Sequence, residues 1–66
     1  MLGENIRKVR KKRKLTQDKL ARVADIPYTT LTKIETGVIK RPSVQAVAKI
    51  AEALSVTVDE LIKNSY

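Results

Sequence analysis

Two residues, Pro27 and Gly37, set the strongest limits on what this chain can fold into. Proline has no amide hydrogen, and its ring disfavours α geometry at the residue before it, so a helix must stop ahead of Pro27 and can begin at it. Gly37 suits the left-handed backbone at which helices commonly end. Around these two breaks the apolar residues recur at helical spacing, with none of the alternation of a strand. Leu2, Ile6, Val9 and Arg13 mark a first helix over about 3–13. Thr16 is a good N-cap for a second over 17–24, with Leu20, Ala21 and Ala24 as its stripe. A third covers 28–36, turning Leu31 and Ile34 inward, and gives way at Gly37 to a basic loop from Val38 to Pro42. Ser43 caps a fourth over 44–54 that buries Val47, Ile50, Ala51 and Leu54. Thr57 and Glu60 form a capping box for a last helix over 58–64, which buries Val58, Leu61 and Ile62. The expected fold is all-α, a compact five-helix bundle in a single domain.

Packing alone must hold such a bundle together. The chain has 66 residues with no Cys and no His, so neither a disulfide nor a thiolate metal site is available, and the commonest general base is missing. The remaining titratable acids are seven scattered carboxylates. The sequence therefore predicts no catalytic residues, no cofactor, no metal and no small-molecule substrate.

Charge is more informative than total composition. Of 14 Lys and Arg, 12 lie in residues 1–42, together with only 4 of the 7 acids. A basic excess confined to two-thirds of the chain matches an electrostatic footprint for phosphate, although a solvated basic face explains charge alone equally well. No apolar stretch approaches the roughly 20 residues that cross a bilayer. The basic run follows Leu2 and Ile6 instead of preceding an apolar segment, unlike a signal peptide. Residues 1–14 lack the Trp and Phe that usually anchor a helix on a membrane surface. The expectation is a cytoplasmic protein with no membrane partner.

Two short helices joined by a tight turn, the second with an exposed polar face, are the parts of a helix-turn-helix. The segments LTQDKLA, TTLTKIETG, RPS and IAEALSVTVDEL stand in order and spacing as they do in the lambda-repressor-like, or XRE, family of helix-turn-helix regulators, and this resemblance covers nearly the whole chain. It implies a sequence-specific regulator of transcription, a repressor or autoregulator, that lays its third helix in the major groove of a palindromic double-stranded DNA operator and acts as a homodimer. Carried over residue by residue, the base-contacting positions are Tyr28, Thr29 and Lys33, flanked by Thr32. The backbone-contacting positions are Gln17, Thr36, Lys40, Arg41 and Ser43. Arg10 and Glu35 match a structural ion pair tying the first helix to the end of the third.

Two departures from the family pattern fall at the turn. Asp25 stands where many members have Gly, at an expected cost of about 1 kcal/mol for a left-handed backbone. Pro27 stands where a capping Ser or Thr is common, leaving an amide to water or phosphate. Of the bases in the first helix, Arg7, Lys8, Lys11, Lys12 and Lys14 cannot all point one way, so most form a solvated face. Beyond Leu54, the side chains Val56, Val58, Leu61, Ile62 and Tyr66 exceed what one short helix can bury, and the surplus is expected at a two-fold dimer interface. The rival reading is an antitoxin or other interaction module whose main partner is a protein; against it, the third helix carries lysine where such a surface would be apolar.

Overall fold

The computed structural model describes residues 2–62. Five helices follow one another, α1 (Leu2–Lys12), α2 (Gln17–Ala24), α3 (Tyr28–Thr36), α4 (Val44–Leu54) and α5 (Val58–Ile62), and no strand is present among the described residues. Helix α1 begins and ends one residue earlier than its apolar stripe suggests. Residues 63 and 64, expected in the last helix, and Tyr66, expected at a dimer interface, lie outside the described residues.

Local chemistry explains the boundaries. The hydroxyl of Thr16 accepts from the amide of Lys19 at 3.1 Å to start α2, and that of Ser43 accepts from Ala46 at 3.1 Å to start α4. Thr57 and Glu60 cap each other's amides ahead of α5, as a capping box requires. Three helix ends close in the same way. The amides of Leu15, Ile26 and Val56 reach back to the carbonyls of Arg10, Ala21 and Ala51 at 3.1, 3.0 and 3.0 Å, the long bond of a Schellman turn. The residue placed left-handed in each case is not glycine: Lys14, Asp25 and Ser55 have φ of 58°, 57° and 59°. Gly37, at φ 87°, ends α3 without that strain.

One core joins all five helices. Ile6, Leu20, Leu31, Ile34, Ile50, Leu54 and Leu61 are its fully buried large side chains, with Ala21, Ala24, Val47 and Ala51 filling between them. The small residues let α2 and α4 approach closely, and α1 packs across α3, α4 and α5. Asn5 on α1 donates to the carbonyl of Leu61 at 2.6 Å, tying α1 to α5. Because Leu61 is wholly inside the protomer core, its assignment to a dimer interface is corrected: it has no surface to offer a partner. Val56 is half-buried against the core, whereas Val58 and Ile62 keep 36% and 37% of their surface.

Candidate nucleic-acid interface

Helices α2 and α3 and the turn from Asp25 to Pro27 form a helix-turn-helix. The turn is regular despite lacking glycine, because Asp25 takes φ 57° and ψ 47° and its amide still reaches Ala21 and Arg22. Pro27 is the N-cap of α3, with extended backbone and no side-chain cap. The first amides of α3 thus face outward uncapped, at the positive end of the helix dipole.

Helix α3 divides sharply between two environments. Leu31, Ile34 and Glu35 are buried, whereas Tyr28, Thr29, Lys33 and Thr36 are exposed and Thr32 is half-buried. Their spacing places Tyr28, Thr29, Thr32, Lys33 and Thr36 on the outward side, at successive i, i+3 and i+4 steps. Two of the hydroxyls are engaged locally. Thr32 Oγ1 donates to the Thr29 carbonyl at 2.8 Å, and Thr36 Oγ1 donates to the Thr32 carbonyl at 2.9 Å. In this state each offers only its lone pairs outward, and either must rotate before it can donate to a phosphate or a base. Lys40, Arg41 and Ser43 are exposed between α3 and α4, and the hydroxyl of Ser43 is already accepting its capping bond.

Behind this surface lies a buried polar cluster. Arg10 on α1 donates through Nε to Glu35 Oε2 at 2.8 Å and through Nη2 to Oε1 at 3.1 Å, with the two side chains only 10% and 2% exposed. This forked pairing matches the plane of the guanidinium to that of the carboxylate. Arg10 Nη1 also donates to the Leu15 carbonyl at 2.8 Å, fixing the α1–α2 connection to the same side chain. Gln17 then joins the cluster from α2, donating through Nε2 to Glu35 Oε1 at 3.2 Å. Its carbonyl oxygen accepts from the hydroxyl of Tyr28 at 3.4 Å. Glu35 therefore gathers α1, α2 and α3 at one point, and the chain of bonds emerges at the surface through Tyr28.

The sequence model of the helix-turn-helix family matches residues 6–61. The chain belongs to the helix-turn-helix family, in its lambda-repressor-like branch. A relative in Rickettsia prowazekii (strain Madrid E), an uncharacterized HTH-type transcriptional regulator, is 38% identical over 56 residues, covering 80% of this chain and 61% of the relative. The chain thus spans about three-fifths of the length of that curated protein. Among solved structures, SinR, the master regulator for biofilm formation, in complex with DNA, superposes with a TM-score of 0.91 at 31% identity, over 94% of this chain and 98% of that one. A chain of the SinR/SinI protein complex gives a TM-score of 0.94 at 29% identity, over all of this chain and 64% of that one.

For this helix-turn-helix protein, sequence reasoning missed the bond from Gln17 to Glu35. Gln17 was assigned outward, to a DNA backbone, yet one of its N–H groups is held inward, leaving the other as its outward donor. The two residues are 18 positions apart, and no local pattern marks the crossing of α2 over α3 that brings them together. Val38 and Val44, the most exposed large apolar residues among the described ones at 72% and 82%, also carry no assigned role.

Proposed function

We propose that this chain is a sequence-specific reader of double-stranded DNA that regulates transcription, as a repressor or autoregulator, by binding a palindromic operator as a homodimer. The observation that carries this reading is the outward face of α3: polar, lysine-bearing and uncapped at its N-terminus, while its inner face is anchored through Glu35. Likeness to SinR, solved in complex with DNA, supports it.

In this account α3 lies in the major groove. Lys33 donates to guanine O6 and N7, Thr29 supplies a hydroxyl and a methyl contact for thymine, and Tyr28 presents a ring edge and a hydroxyl. Gln17 uses its remaining N–H on a phosphate beside the start of α2, where the helix dipole favours an anion. Thr36, Lys40, Arg41 and Ser43 flank the reading face and contact the adjacent backbone. Two protomers meet through Val56, Val58 and Ile62, which sets the spacing of the two half-sites.

Selection of binding sites from a random duplex pool tests the proposal, because it reports sequence, symmetry and spacing together. The expected product is a pair of inverted half-sites with centres about one helical turn, or a whole multiple of it, apart. A pool that enriches no sequence refutes it. A second reading, a domain whose chief partner is a protein, is favoured by likeness to a chain of the SinR/SinI complex; it predicts the unenriched pool.

A further inference from the structure

Helix α1 grips α3 at a second place besides Arg10. A Cβ built on Gly3 would stand 2.4 Å from the carbonyl oxygen of Ile34, 2.9 Å from that of Glu35 and 3.2 Å from the Glu35 carbonyl carbon. All three neighbours are backbone atoms in the last turn of α3, so no side chain can swing aside to admit a methyl group. Gly3, Ile6 and Arg10 fall on one face of α1 at helical spacing. Ile6 is in the core, and Arg10 holds the Glu35 carboxylate from the same face.

We infer that Gly3 is a positioning residue for α3: by lacking a side chain it lets the first turn of α1 close on the backbone of Ile34 and Glu35, setting the height of the recognition helix. The inference rests on the DNA-reading role proposed above. Arg10 and Gly3 stand two turns apart along α1 yet meet α3 at the same place, Ile34 and Glu35, so together they pin the last turn of α3 in depth against α1. A methyl group at position 3 separates the two backbones by about 1 Å before ordinary van der Waals contact is restored. That displacement falls on the turn carrying Lys33 and Thr36, at the far end of α3 from Tyr28, so it tilts the reading face.

Gly3→Ala tests the inference through a reversal of sign. Alanine is the better helix former, so in open space the change raises stability; against the α3 backbone it lowers it. The variant is made in the full chain and again with Ser55→Gly, which relieves the left-handed strain at the end of α4 and keeps the protein folded. Three readouts are taken: the thermal midpoint, the backbone amide shifts of Ile34 to Gly37 in free protein, and affinity for the selected operator beside an unrelated duplex. The expected result is a lower midpoint, displaced last-turn amides and an operator affinity down by about tenfold, the worth of one base contact, with the unrelated duplex changed less than about twofold. A raised midpoint, unmoved amides or equal weakening of both duplexes overturns the inference. Should the unaltered chain select no operator, the DNA reading fails by itself, and the midpoint and amide shifts still decide whether Gly3 sets α3.

Discussion

Replacing Glu35 with Gln removes one charge from the point where three helices meet. In the native protein the Glu35 carboxylate accepts two bonds from Arg10 and one from Gln17, and the carboxylate is almost wholly inaccessible to water. The amide of Gln keeps one oxygen to accept but turns its NH2 towards groups that also donate. Arg10 is then a buried cation without a counter-charge. Breaking a buried pair from one side costs about 3–5 kcal/mol, and the surviving acceptor brings the expectation here to about 2–4 kcal/mol. A domain this short holds only a few kcal/mol in total. At about 4–8 °C per kcal/mol, the thermal midpoint should fall by at least about 8 °C. Far-UV circular dichroism against temperature and against urea measures the change, with an unaltered urea slope showing that the native state still unfolds as one unit. The double variant Arg10→Met, Glu35→Leu should recover much of the loss, since apolar replacement of a buried pair is often neutral or better. It should not recover operator affinity, because Gln17 loses its inward anchor. A midpoint for Glu35→Gln within about 2 °C of the parent, with affinity unchanged, would refute the reasoning.

Further outcomes follow from other sites. Asp25→Gly should stabilise the fold by up to about 1 kcal/mol in urea titration, because a left-handed Cβ is removed at φ 57°. Leu61→Ala should cost about 2–5 kcal/mol of fold stability at any protein concentration, whereas Ile62→Glu should spare the fold and weaken only dimer formation in sedimentation equilibrium. Lys33→Ala should relax base preference at one position of each half-site in repeated selection, whereas Arg41→Ala should weaken every duplex by a similar factor.

How far these features can be read from the sequence depends on how local their causes are. Thr16, Ser43 and the Thr57–Glu60 box mark helix starts because each cap bonds an amide three residues ahead, within the same short segment. Pro27 and Gly37 act through their own backbones. Lys14 and Ser55 end α1 and α4 in the conformation that Gly37 takes without strain, and nothing in their chemistry announces it. The Arg10–Glu35 assignment came from family resemblance, since 25 residues separate the partners and charge pattern alone would leave either free. The hold of Glu35 on Gln17, the close approach of Gly3 to α3 and the exposure of Val58 and Ile62, expected inside beside Leu61, all depend on how helices cross. Periodicity reports which face of a helix is apolar, but not which neighbour covers it or how near that neighbour comes.

The central claim is that α3 and its flanking bases bind duplex DNA. The most direct test is titration of the selected operator at several salt concentrations. If each dimer contacts about 6–10 phosphates, log affinity should fall against log salt with a slope of about −5 to −9. Binding that is absent, or that stays level as salt rises, would contradict it.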